Sequence, residues 1–224
     1  MSETEKVYQE LNTTISAAEA QLIAVSKTHP QERIMELYEL GHRDFGENRV
    51  AELVEKHEAL PKDIRWHFIG HLQRNKVKAI APFVHLIHAV DSERLLREID
   101  KQAKAADRKI SVLLQFHIAE EASKYGLDRE KAGALITSLK EKPLTHTTIS
   151  GVMGMATFTD DEAQVTAEFE SLAEHFKWIQ GTIPGQSPEF REISMGMSGD
   201  YPLALAAGST LVRVGSLLFG QRYT

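Results

Sequence analysis

Short apolar runs alternate with amphipathic stretches along nearly the whole chain. Eight of the runs have the length and branched composition of strands: residues 22–26, 44–46, 66–70, 86–90, 111–117, 148–153, 190–194 and 211–214. Nearly all read as uniformly apolar rather than alternating, the pattern of parallel strands covered on both faces. The stretches between them carry helical spacing. Ile34, Leu37, Tyr38 and Gly41 share one face after Pro30, and Val165, Phe169, Leu172, Phe176 and Ile179 form one stripe. Asp91 or Ser92 can cap the helix that carries Leu95, Leu96 and Ile99. Thr159 and Glu162 have the form of a capping box. A further helix, around residues 7–18, precedes the first strand. Strands alternating with helices predict an α/β fold: a single (β/α)8 TIM barrel over residues 1–224 with an extra N-terminal helix. An open doubly wound sheet is the second arrangement compatible with the pattern.

A length of 224 residues suits one such barrel. The net charge of -6 argues against broad nucleic-acid binding but leaves room for a local pocket that takes one small anion. The absence of cysteine excludes disulfides and thiolate chemistry. The polar start, Met1-Ser2-Glu3-Thr4-Glu5-Lys6, lacks the core of a signal peptide, and no apolar run approaches the ~20 residues that span a membrane. A cytoplasmic chain with no membrane partner is expected. Among the ten histidines, His67 and His71 are separated by a strand-to-helix junction. His85 and His88, three apart on a strand, are expected to face opposite sides. No metal site is expected.

In a (β/α)8 barrel, function gathers at the C-terminal ends of the strands. Lys27 ends the first strand, with its stem in the interior and its amine at the opening. Burial lowers a lysine pKa, and a neutral amine is a nucleophile toward carbonyls. On that ground alone the residue is more often solvated surface. The segments after strands seven and eight offer Ser194, Ser198, Gly215 and Ser216, small and hydroxylic residues that suit a phosphate. Asp200 reads as the cap of the next helix. Arg213 can point inward while Val212 and Val214 point outward. A phosphate cup facing a strand-end lysine fits an aldehyde that carries a phosphate, and pyridoxal phosphate is the common cofactor of that kind. An arginine at its ring nitrogen donates only. The ring is then a weak electron sink, which favours holding the cofactor over transamination or decarboxylation. A barrel that binds a sugar phosphate, with Lys27 still reactive as in aldolases, remains open.

Six segments together resemble the YggS/PROSC family of pyridoxal phosphate homeostasis proteins. They are Ala24-Val25-Ser26-Lys27, Phe45-Gly46-Glu47-Asn48, the run from Trp66 to Lys76, Gly151-Val152-Met153-Gly154-Met155, Ser194-Met195-Gly196-Met197-Ser198, and the run from Val212 to Gly220. The resemblance implies a fold like the N-terminal barrel of alanine racemase. It implies Lys27 as the Schiff-base lysine and Arg213 as the partner of the pyridine nitrogen. Ser198, Gly215 and Ser216, with Ser194, fall at the phosphate, and Asn48 and Met153 lie beside the ring. It implies a carrier or buffer of pyridoxal 5'-phosphate, with PLP-dependent apo-enzymes as recipients, a monomer, and no catalytic residue. His117 departs from the family's asparagine and is given no role. The alternative is a racemase-like enzyme of weak activity. The chain runs only ten residues past Val214, so the second β-domain that completes alanine racemase is not expected.

Overall fold

The computed structural model describes residues 2–120, 125–182 and 189–220, so Met1 and residues 221–224 of the expected 1–224 domain lie outside it. The chain runs α1 (Glu3–Ala17), β1 (Gln21–Val25), α2 (Gln31–Glu39), β2 (Asp44–Glu47), α3 (Val50–Ala59), β3 (Arg65–Phe68), α4 (Val77–Ile80), β4 (Leu86–Val90) and α5 (Glu93–Ala105). It continues β5 (Ile110–Gln115), α6 (Arg129–Glu141), β6 (Thr147–Met153), α7 (Glu162–Gln180), β7 (Glu192–Ser194), α8 (Tyr201–Ala206), β8 (Leu211–Val214) and α9 (Ser216–Phe219). The strands pair in sequence order and all in parallel, and β8 returns to β1, so the sheet closes into a barrel. The open-sheet arrangement is thereby excluded.

Two apolar layers hold this shape. The larger lies between barrel and helices and takes the outward strand residues, among them Phe45, Trp66, Ile87, Val112, Val212 and Val214. The smaller fills the lumen with Ile23, Leu86, Ala89, Leu113, Met153 and Leu211. The strands are less uniformly apolar than their sequence reads, because the lumen also buries Asp44, His67, His88, Ser194 and Arg213, while Glu47 is buried on the outer face against Lys56 of α3.

Helix starts follow local chemistry. Ser2 and Glu5 form a reciprocal capping box, which extends α1 four residues before the expected start. Ser92 caps α5 through Leu95 N–H. The expected Thr159–Glu162 box does not form. Asp161 caps α7 instead, taking the N–H groups of Ala163 and Gln164, while Thr159 Oγ1 accepts from Asp161 N–H. A carboxylate at the N-cap is the stronger acceptor for the exposed helix-start donors. Asp200 does occupy the N-cap position of α8, yet its carboxylate takes the N–H of Met197 and closes the preceding loop.

Candidate functional site

At the C-terminal end of the barrel, the loops after the strands enclose a cavity of about 610 Å³. Lys27 reaches its wall from the end of β1, Asn48 from the end of β2, Ser198 from the loop after β7, and Arg213, Gly215 and Ser216 from β8 and the start of α9. These are six of the eight residues picked out in the sequence. Met153 and Ser194 do not reach the wall: both are buried below it, Met153 in the apolar lumen and Ser194 under Arg213. His29, His71 and Tyr125 line the same cavity, and the rings of His71 and Tyr125 stack at 4.2 Å. His117 is not among the lining residues.

Lys27 is half-buried, and the backbone on both sides of it is tied down. Ser26 Oγ donates to Glu47 Oε1 at 2.6 Å, and Lys56 Nζ donates to Ser26 O at 2.8 Å. On the other side Thr28, with φ +67°, gives its N–H to Glu52 Oε1 at 2.6 Å. Lys56 Nζ joins the two carboxylates, 2.8 Å from Glu47 and 2.7 Å from Glu52. Burial pushes the Glu47 carboxyl up, and the Lys56 and Ser26 contacts only partly offset that. Left-handed backbone at a β-branched residue is costly, so Thr28 keeps it only because these bonds fix the turn. The Glu47–Lys56–Glu52 group was not foreseen as a unit. Glu47 was legible as a polar residue at a strand end, whereas Lys56 reads as an ordinary solvated helix lysine.

Arg213 is buried and has no carboxylate in contact among the described residues. Its Nη1 donates to Ser194 Oγ at 2.6 Å and its Nη2 to Gly154 O at 3.1 Å. Burial pulls the guanidinium down to about 10, so it stays protonated at neutral pH. In the loop after β7, Ser198 Oγ accepts Gly215 N–H at 3.2 Å. A side chain at Gly215 would press its Cβ to 3.2 Å from Val25 O, so glycine keeps this rim close to β1. At Gly70 a Cβ would sit 2.3 Å from Asn48 O, and only glycine lets the Asn48 loop lie where it does.

The residues fit a flat, anionic aldehyde. The cavity is anchored by an amine, a donor-only guanidinium, two hydroxyls and the opening turn of α9, whose first N–H groups have no partner within the helix. Asn48 Oδ1 is buried with no hydrogen-bond partner among the described residues.

The histidines behave differently from their sequence expectation. His85 and His88 do not fall on opposite sides: both pack against His67, with ring centroids 5.3 and 5.2 Å away. His85 precedes β4, and the strand's register slips between Ile87 and Val90, so simple alternation fails there. Asp44, His67 and His85 bring their potential ligand atoms within 4.8 Å of one another at the barrel base. The Arg65 guanidinium already bonds both Asp44 oxygens, so a metal ion would have to compete with a cation in place.

The family model described as the alanine racemase N-terminal domain matches residues 3–223. The protein named pyridoxal phosphate homeostasis protein from Vibrio alginolyticus is 36% identical over 220 residues, covering 96% of this chain and 92% of that protein. The protein of the same name from Aquifex aeolicus (strain VF5) is 38% identical over 204 residues, covering 91% and 87%. Among solved structures, PipY of Synechococcus elongatus PCC7942 superposes with TM-score 0.89 without PLP and 0.86 with PLP bound. Both are 35% identical and cover 97% of this chain and 100% of theirs. Alanine racemase from Bartonella henselae shares the fold, with TM-score 0.67 at 18% identity over 96% of this chain and 58% of that one.

Proposed function

The chain belongs to the family of the alanine racemase N-terminal domain and its pyridoxal phosphate homeostasis proteins, and from that premise we propose that it holds pyridoxal 5'-phosphate reversibly at the barrel mouth. The observation that carries the reading is the convergence of Lys27, Asn48, Ser198, Arg213, Gly215 and Ser216 on one cavity. The cofactor supplies an aldehyde, a ring nitrogen and a phosphate. Lys27 Nζ would hold the aldehyde carbon covalently with loss of one water, and hydrolysis of that bond would release the cofactor intact. Arg213 donates to the ring nitrogen and keeps it unprotonated. Ser198 and Ser216, with the backbone at Gly215 and the start of α9, take the phosphate. Met153 and Ser194 act from beneath, Met153 as floor and Ser194 as the rest for Arg213.

Holding rather than turnover is the role we assign, with PLP-dependent apo-enzymes as recipients and a cytoplasmic monomer as the working form. A donor-only partner at the ring nitrogen weakens the ring as an electron sink, so carbanion chemistry at Lys27 is disfavoured. Among the described residues no helix is long and apolar enough to cross a membrane.

The test is incubation with pyridoxal phosphate, borohydride reduction and peptide mapping. A visible absorption band and a pyridoxyl adduct on Lys27 are expected, with both lost in Lys27→Ala. An adduct only on other lysines would move the site elsewhere, and no band at all would sink the cofactor reading.

A further inference from the structure

A continuous line of hydrogen bonds crosses the barrel lumen from its base to Arg213. Asp44 Oδ1 meets His67 Nε2 at 3.1 Å, His67 Nδ1 meets His88 Nε2 at 3.0 Å, and His88 Nδ1 meets Ser194 Oγ at 2.8 Å. Ser194 Oγ then meets Arg213 Nη1 at 2.6 Å. All five residues are at most 4% exposed.

The proton positions follow from what each end can do. Arginine only donates, so Ser194 accepts from it and its own proton goes to His88 Nδ1. A carboxylate only accepts, so His67 Nε2 carries a proton for Asp44. With both rings neutral, one assignment gives every contact a donor and an acceptor: His88 Nε2–H donates to His67 Nδ1. Burial holds His88 well below the usual histidine range, with the nearby Arg213 adding to it, in keeping with a neutral ring. At the base Asp44 accepts two donors of Arg65, Nε on Oδ1 at 2.7 Å and Nη2 on Oδ2. All the dipoles therefore point one way, from a buried cation with no contacting carboxylate to a carboxylate on the far side of the barrel.

We propose that this line is a one-way relay that steadies Arg213 from behind and fixes its guanidinium toward the ring nitrogen of the bound cofactor, which makes Asp44, His67 and His88 positioning residues for the ligand. The relay acts in addition to the field of Asp200 near Arg213. The role rests on the reading that pyridoxal phosphate occupies the mouth. A line of neutral groups suits the task. A carboxylate placed directly on Arg213 would compete with the ligand for its donors, whereas an aligned relay steadies the cation from behind and leaves its remaining N–H groups for the cavity.

Two measurements test it. In ligand-free protein, the ¹⁵N shifts of the imidazoles should report both His67 and His88 as Nε2–H tautomers; a doubly protonated His67 reverses the upper bonds and overturns the relay. In loaded protein, Asp44→Asn and His88→Leu should weaken retention of pyridoxal phosphate about tenfold, roughly one hydrogen bond to a charged group. Both should also move the ¹⁵N shift of labelled ring nitrogen, a signal that loss of packing alone would leave in place. Tyr8→Phe, a buried α1 residue whose hydroxyl meets His42 Nδ1 outside the line, should do neither. Should His88→Leu fail to fold, the isosteric Asp44→Asn decides. Wild-type protein that takes up no pyridoxal phosphate overturns the function reading and this role with it. Wild-type binding with unchanged affinity and unchanged ring-nitrogen shift in the folded variants overturns the relay alone.

Discussion

Asp44 and Glu47 stand at opposite ends of β2, both buried, and their carboxyl groups are driven in opposite directions. At the base, burial pushes Asp44 up, but the hydrogen bonds from His67 and Arg65 outweigh it and hold the carboxyl far below its usual range. At the mouth, burial pushes Glu47 up, and its contacts with Lys56 and Ser26 do not bring it back. The difference lies in how donors are shared. Asp44 has donors on both oxygens, whereas Lys56 and Ser26 both address Glu47 Oε1 and leave Oε2 buried without a partner among the described residues. The two ends of one strand thus support the two sides of the site by different means. The Lys27 side is tied by buried ion pairs, and the Arg213 side is steadied through neutral rings.

Breaking the ion-pair side should have the larger cost. Lys56→Met leaves the fully buried Glu47 carboxylate without its counter-charge, a loss expected at about 3–5 kcal/mol. Urea melts at neutral pH would measure it. The same change frees Ser26 O and Glu52, so the Lys27 turn should loosen and yield of the borohydride adduct should fall with stability. A melt within 1 kcal/mol of wild type would show the clamp to be idle.

The opposed carboxylates can be separated by pH. A group held below its unfolded value adds stability that is present above that value and lost as pH falls. Asp44 is such a group, so the deficit of Asp44→Asn, about 2 kcal/mol at neutral pH, should shrink as pH drops below the ordinary value of 3.8. Glu47 is raised, so the folded state binds the extra proton. Its contribution is largest below the ordinary 4.5 and declines as pH rises from there to the raised value. Glu47→Gln removes that decline. Relative to wild type, it should therefore gain stability with rising pH over the window in which Glu47 ionises. Denaturant midpoints from pH 2 to pH 7 would show both slopes, that of Asp44→Asn below 3.8 and that of Glu47→Gln above 4.5; two slopes of the same sign would break the comparison.

The barrel was legible because eight apolar runs separated by helical stripes admit few closed arrangements. Six of the eight chosen residues reach the cavity wall because strand ends and short polar loops are visible in sequence. What lay beneath was harder to see. Asp44, His67, His88 and Arg213 each interrupt an apolar strand, and each taken singly reads as an ordinary exception. Only the closure of the barrel brings four different strands to one axis, with Ser194 from a fifth strand completing the line. The His85–His88 pair misled for the same reason: spacing along a strand was weighed, while the contacts that matter run between strands. Met153 and Ser194 were placed one layer too high because a motif gives position along a strand, not depth in a lumen.

Ser194 and Ser198, four residues apart, give the finest division between the two means of support. Ser194 is buried under Arg213 and touches no cavity surface, whereas Ser198 lines the wall and accepts Gly215 N–H. Ser198→Ala removes one hydrogen bond and Ser194→Ala removes the two that join His88 to Arg213, so affinity for pyridoxal phosphate should fall roughly three- to tenfold in the first and about tenfold in the second. Their dependence on the ligand should differ. With pyridoxal, which lacks the phosphate, Ser198→Ala should lose most of its effect, because its hydroxyl serves the anion. Ser194→Ala should keep its effect, because its hydroxyl serves the ring nitrogen through Arg213. Titrations of both variants with both ligands read this directly, and equal losses for the two ligands at Ser198 would remove it from the phosphate side of the site.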